Sequence, residues 1–296
     1  MTFHDASGST ANLEDGDPRP ACVAMFQAVR TFLLGEGRAA AMTASVGLNP
    51  KGEMTRAFDA EAERIALDVA RTYLSGFIAL SEEGGETSHG ENPRWRLVID
   101  PCDGSNNFRR GIRSVGFSVA ALPVEASLDP DQVLYAVCGD VYTGTVYSAA
   151  RNGGATVDML PCHASDISDI RHAMLGVNIG KDGPARHRRD AEEEERLTRR
   201  VWQILGEVVT VRRTGASVLD LCYVAQGAYS AYLDLRERLT PENFMAAALI
   251  IHESGGCFTD ARGVPLGTVE FTQPYSVLAA GNTKLLQSLL EMLHAQ

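Results

Sequence analysis

The chain has 296 residues, 45% of them hydrophobic, and carries a formal net charge of −11. That length and composition support a large core in one domain or two closely joined halves. The charge argues against a nucleic-acid polymer as partner, and the absence of a bilayer-length apolar run argues against a membrane span; a small anionic ester stays open, because a bound cation can reverse the local field.

Residues 1–17 are polar and acidic with Gly and Ser, and read as a loose tail without a basic-then-apolar leader. Cys22, Met25, Phe26, Val29, Phe32 and Leu33 recur at helical spacing and predict a helix over 21–34, stopped by Gly35. Val46 to Gly52 is punctuated by Gly and Pro and reads as a loop. A second helix is expected over 60–74, with Asp59 where an N-cap belongs. Phe77 to Leu80 reads as a short buried strand, followed by Ser81-Glu82-Glu83-Gly84-Gly85-Glu86. Acids beside glycines mark either a solvated loop or carboxylates delivered to a sheet edge by neighbouring strands.

The next stretch organises the chain: Leu97-Val98-Ile99-Asp100-Pro101-Cys102-Asp103-Gly104-Ser105-Asn106-Asn107-Phe108. A buried strand runs into Asp100 and Asp103, which would point to opposite faces if the strand simply continued. Pro101 and Gly104 favour a tight turn instead, which brings both carboxylates and a backbone carbonyl to one point. Such a group of hard oxygens suits Mg²⁺. Strands are then expected over 115–122, 133–138 and 144–149. Arg109, Arg110 and Arg113 flank the stretch and either attract phosphate or form an exposed cluster.

Around Pro161 the composition changes, dividing an N-terminal α+β half (18–160) from a C-terminal α/β half (161–296). A basic loop over 180–190 carries Lys181, Arg186, His187, Arg188 and Arg189, and a helix opens at Glu192 to Glu195, where acids favour the macrodipole. Gly215-Ala216-Ser217 precedes a helix over 218–226, placing small residues and amides where a phosphate or hydroxyl could dock. A strand over 229–235 leads to Arg236-Glu237-Arg238, either a phosphate-holding pair of arginines or a solvated turn. Thr240 and Pro241 open a helix over 241–254 that ends at Gly255-Gly256. A strand over 277–281 and a helix over 283–293, capped by Asn282, close the chain. Six scattered cysteines, without a Cys-x-x-Cys pair, fit a reducing, cytoplasmic compartment.

The stretch from Leu97 to Phe108 resembles the signature of the inositol monophosphatase family, strand-D-P-x-D-G-[ST]-x-N-F, within a superfamily of Mg²⁺-dependent phosphatases. The resemblance covers roughly residues 50 to 290, with a weak preference for the archaeal-type dual fructose-bisphosphatase/inositol-phosphatases. It implies an α/β fold (α+β by some schemes) built as a layered αβαβα sandwich of the sugar phosphatase type, commonly a homodimer. Glu82 matches the first Glu of the family's Gly-Glu-Glu, a metal ligand, with Glu83 as the second and Ser81 in place of the glycine. By resemblance, Glu82, Asp100, the Cys102 carbonyl and Asp103 hold two or three Mg²⁺ ions, with Mn²⁺ as an alternative. Asp59 and Ser105 orient the attacking water, with Glu83 as a further acid. Gly104, Ser105, Gly215, Ala216, Ser217, Arg236 and Arg238 face the substrate, and Gly153-Gly154 matches a Gly-rich turn.

The family's helix reads W-D-x-A-A-G before E-A-G-G, and its Asp completes the second metal site. Counting back from Glu253-Ser254-Gly255-Gly256 places Asn243 there, so Asn243 is expected as a weakened ligand. Glu242 replaces the Trp and is turned roughly 100° away around the helix, a poor direct substitute. The expected activity is hydrolysis of a small sugar, polyol or nucleotide phosphate. The alternative is a family member that binds a phosphorylated ligand or a partner without turnover.

Overall fold

A computed structural model describes residues 16–52, 54–179 and 191–295. The helices are α1 (Pro18–Leu34), α2 (Ala57–Tyr73), α3 (Ser105–Arg110), α4 (Ala191–Glu207), α5 (Ser217–Ala225), α6 (Pro241–Glu253) and α7 (Thr283–His294). The strands up to residue 123 are β1 (Ser45–Leu48), β2 (Met54–Arg56), β3 (Gly76–Ser81), β4 (Gly85–Gly90), β5 (Trp95–Asp103) and β6 (Gly116–Pro123). There follow β7 (Tyr135–Asp140), β8 (Val146–Ala150), β9 (Gly154–Val157), β10 (Leu160–Pro161), β11 (Met174–Asn178), β12 (Thr210–Arg212), β13 (Ala231–Leu239), β14 (Cys257–Asp260) and β15 (Tyr275–Ala280).

Two main sheets carry the fold, one of eight strands in the order β10-β9-β8-β7-β6-β5-β3-β4 and one of five, β12-β11-β13-β15-β14. α1 and α2 cover one face of the larger sheet, α5 and α6 fill the space between the sheets, and α4 and α7 cover the outer face of the smaller one. The result is the five-layer αβαβα arrangement. α6 is buried almost all round (Phe244 to Ile251), because it meets a sheet on each side. Its last residue, Glu253, accepts the amides of Asn152 and Gly154 at 2.9 Å, so the glycine turn before β9 is pinned to the helix end. Among the described residues no helix is long and apolar enough to cross a membrane.

Several expectations need correction. Residues 46–52 do not form a plain loop: β1 and β2 pair as a hairpin, hidden because its apolar side chains (Val46, Leu48, Met54) are exposed. α2 begins three residues earlier than expected, with Arg56 as N-cap, so Asp59 is its third residue. Its carboxylate reaches back to the Arg56 amide, the returning half of a capping box. β5 also runs on through Pro101 to Asp103 rather than breaking into a turn. β13 extends through Arg236 to Leu239, with a register shift past Asp234 and Glu237 at φ +54°, where a solvated turn was one reading. The basic loop 180–190 and the tail up to residue 15 lie outside the described residues.

Candidate active site

The carboxylates of the signature meet through a β-bulge. Asp100 pairs with Ser118 and Asp103 with Gly116, so three steps along β5 match two along β6. The extra residue restores the parity that a regular strand would break, and both side chains emerge on one side. Gly104 follows at φ +96°, with an added Cβ placed 3.1 Å from the Ser114 carbonyl oxygen and 3.4 Å from Ala216. Glycine is required there by conformation and by space. Asn107 then ties the short α3 to its surroundings, donating to the carbonyls of Ser114 (2.9 Å) and Thr214 (2.8 Å).

Three other segments converge on this bulge. From α2, Asp59 accepts the Ser105 hydroxyl at 2.8 Å, and the same hydroxyl lies 3.1 Å from the Cys102 carbonyl. Burial pushes Asp59 up to about 8, against the lowering effect of that hydrogen bond. From the smaller sheet side, the Val218 amide at the start of α5 donates to Asp103 at 2.7 Å. Burial lifts Asp103 to about 7 despite this amide. From α6, the Asn243 Nδ2 donates to Asp100 at 2.9 Å, while its Oδ1 accepts the Thr240 amide at 3.1 Å. Both partners fix the amide orientation: Asp100 is approached by N–H, and the oxygen is spent on the capping box.

Glu82 sits in the turn between β3 and β4, beside this group. Its pKa and that of Asp100 are held well above the usual carboxylate range, first by burial; Asp100 and Glu242 then raise Glu82, and Asp103 and Glu242 raise Asp100. Lys51 supplies opposing charge to both. Glu83 accepts the Thr55 hydroxyl. Of the expected substrate-side residues, Gly215 is exposed beside Asn107, whereas Ala216 and Ser217 are buried. The Ser217 hydroxyl accepts from Asn178 at 3.2 Å and from Tyr232 at 3.1 Å. Arg236 is clamped by buried Asp234 through two contacts of 2.9 and 2.6 Å, and its charge still reaches Asp103. Arg238 lies half-buried beyond the bulge of β13, and Arg109, Arg110 and Arg113 are exposed.

Four further residues stand here: Glu63 and Asp220, which the sequence reading assigned no role, Lys51, whose stretch to Thr55 resembles the family's metal-proximal loop, and Glu242, which helical angle turned away. Glu63, one helical turn after Asp59, is buried and accepts the Glu83 amide at 2.9 Å, holding the Glu82–Gly84 turn from below. An added Cβ at Gly84 would collide with this carboxylate. The i, i+4 spacing of Asp59 and Glu63 was the available signal. Removing the carboxylate in Glu63→Ala is expected to destabilise the protein by about 1–3 kcal/mol, read from urea denaturation midpoints. Asp220 is fully buried and pushed up to about 7 by that burial, with Thr214 and Tyr229 near it but outside hydrogen-bond geometry. Lys51, buried, bonds Thr240 Oγ1 at 2.9 Å and pairs with Glu242. Glu242 itself is 1% exposed and faces the cluster, although helical geometry alone turned it away. Glu242 lies in the first turn of α6, and Lys51 reaches it from the β1–β2 connection.

Among the described residues no three His, Cys, Asp or Glu side chains are already gathered around one metal position. The carboxylates are separated by hydrogen bonds: the Val218 amide on Asp103, the Asn243 amide on Asp100, and Lys51 on Glu242. The donor set nonetheless fits a hard divalent cation. Every donor is an oxygen, the carboxylates raise one another's pKa, and Glu242 Oε2 is buried with no hydrogen-bond partner.

Comparison with known proteins gives a consistent picture. The model of the inositol monophosphatase family matches residues 24–296. The fructose-1,6-bisphosphatase/inositol-1-monophosphatase of Methanothermobacter thermautotrophicus is 32% identical over 255 residues, 84% of this chain and 86% of that protein. The Nus factor SuhB of Pseudomonas aeruginosa is 29% identical, over 78% of this chain and 79% of its own length. Among solved structures, the extragenic suppressor protein suhB from Bartonella henselae superposes with a TM-score of 0.75 at 23% identity, covering 94% of this chain and 98% of that one.

Proposed function

The chain belongs to the inositol monophosphatase family, and from that premise we propose that it hydrolyses the phosphate monoester of a small sugar or polyol, of the inositol monophosphate or fructose 1,6-bisphosphate type. Glu82, Asp100, the Cys102 carbonyl and Asp103 would hold Mg²⁺ or Mn²⁺. When bound, such a cation supplies positive charge at the phosphoryl oxygens and lowers the pKa of adjacent water. A cytoplasmic homodimer is the form this reading expects.

The observation that carries it is the Ser105–Asp59 hydrogen bond, drawn together from α2 and the signature at the Cys102 carbonyl. Ser105 Oγ, held by Asp59, orients a water toward phosphorus, and the ionised Asp59 carboxylate can receive its proton through the serine hydroxyl. Glu83, fixed by Thr55, provides a second acceptor on the other side. Gly104 and Ser105 amides meet the phosphate as it gains charge. Gly215 lies at the exposed mouth and Arg236, preset by Asp234, offers charge to a hydroxyl or second phosphate; Arg238 serves the same end of the substrate. Ala216 and Ser217 shape the wall from behind. Asn243 orients Asp100 through its amide and contributes no charge of its own.

A second reading, binding of a phosphorylated ligand or a partner chain without turnover, is favoured by that same Asn243. The test is phosphate release from inositol 1-phosphate, fructose 1,6-bisphosphate and a 3′-phosphonucleotide, by the native protein and by Asn243→Asp. Turnover of a sugar or polyol phosphate by the native chain is expected. An inert native chain with an active Asn243→Asp variant would establish the second reading.

A further inference from the structure

We propose that Glu242 is itself a cation ligand, supplying the fourth carboxylate of the site through Oε2. The proposal rests on the reading of the cluster as a divalent-cation site and adds a residue to it.

Its two oxygens have different surroundings. Oε1 is occupied: it accepts from Lys51 Nζ and from the Thr240 hydroxyl. Oε2 is buried and has no hydrogen-bond partner. A carboxylate oxygen removed from water without a donor is costly, and the cost is relieved by a proton or by a cation. Here Glu82, Asp100 and Asp103 stand near enough to feel the charge of Glu242, so a cation at Oε2 would be shared with carboxylates already beside it.

The residue is also held for this task. Thr240 and Asn243 close a capping box around it, Pro241 fixes the backbone just before it, and the Ser118 hydroxyl donates to its carbonyl at 2.7 Å. Ser118 is the β6 partner of Asp100, so the start of α6 is tied to the strand register that presents Asp100. Asn243 turns its Nδ2 toward Asp100 and its oxygen toward the Thr240 amide. Glu242 thereby supplies the negative charge at the start of α6 that Asn243 lacks, while Lys51 steadies the other oxygen.

The simpler account makes Glu242 only the partner of Lys51. Mn²⁺ binding, followed by electron paramagnetic resonance and titration calorimetry on purified full-length protein, separates the two. Four proteins are compared: native, Glu242→Gln, Lys51→Met, and Lys51→Met/Glu242→Gln. The Lys51→Met background removes the ion pair from both members of the second comparison, so a difference there reports on the cation alone even if Glu242→Gln by itself fails to fold. Loss of one bound Mn²⁺, or weakening of at least about 10-fold, is expected on replacing Glu242 in either background. Unchanged stoichiometry and affinity on that replacement would overturn the ligand assignment and leave the cation site standing. Absence of Mn²⁺ binding by native protein would instead overturn the cation site, and the assignment with it.

Discussion

Asp100→Asn is expected to lower cation-dependent phosphate release by at least about 10³-fold while leaving the protein folded. Asp100 is 1% exposed, and its carboxylate is disfavoured first by burial and then by Asp103 and Glu242. Asparagine keeps the shape and can still accept the Cys102 amide, which sits 2.9 Å from Asp100 Oδ1, but its Nδ2 then faces the Asn243 Nδ2 donor. It removes a charge that the cation-free fold tolerates poorly and gives up one hydrogen bond, and these opposing effects leave the fold in place. Under the proposed function the cation loses one of its carboxylates, and a factor of 10³ corresponds to about 4 kcal/mol of transition-state stabilisation. Steady-state kcat/KM beside a thermal melt checks both halves. A stable variant with native turnover would remove Asp100 from the site; a variant that unfolds would show that the carboxylate serves structure.

The second large effect couples pH to cation. With chelator present, stability is expected to fall as pH rises from about 5 to 8. Asp59 has its pKa raised from 3.8 to about 8, and Asp103 from 3.8 to about 7, in both cases chiefly by burial. In that window the folded state retains protons that the unfolded chain has released, so the stability slope against pH is negative. Asp59 alone contributes about 1.4 kcal/mol per pH unit between its two pKa values. Added Mg²⁺ replaces the protons, so its stabilisation should be larger at pH 8 than at pH 6, reaching about 2.7 kcal/mol when it exceeds its dissociation constant a hundredfold. Urea midpoints at several pH values, with Mg²⁺ and with chelator, supply the comparison. Stability that is flat or rises with pH in chelator would mean that these carboxylates ionise in the fold at least as readily as in the unfolded chain.

The pattern of residues carried the main outline of this fold. The run Leu97 to Ile99 marked the strand, although β5 continues to Asp103 where a tight turn was expected, and Thr240-Pro241 marked the start of α6. Local rules account for both, because each depends on neighbours within a few positions. The bulge was not legible: a one-residue offset depends on which residues of β6 lie opposite, and Asp100 and Asp103 share a face only because Ser118 and Gly116 are their partners. Glu242 was discounted for the same kind of reason. Helical angle describes direction about one axis, whereas its contact is with Lys51, 191 positions away. The hairpin of β1 and β2 was missed because exposed apolar residues around Gly and Pro look like a loop. Glu63 was assigned no role, although its spacing from Asp59 put both on one side of α2. Long-range pairing, rather than propensity, decided each of these cases.

The most direct test takes the native chain alone. Protein dialysed against chelator is assayed for phosphate release from inositol 1-phosphate and fructose 1,6-bisphosphate while Mg²⁺ is titrated in, and chelator is then added back. Saturable activity that appears with Mg²⁺ and vanishes with chelator is the expected result. Turnover that persists unchanged in chelator would contradict a cation-dependent carboxylate site, and no turnover of either ester at any Mg²⁺ concentration would contradict the proposed phosphatase activity.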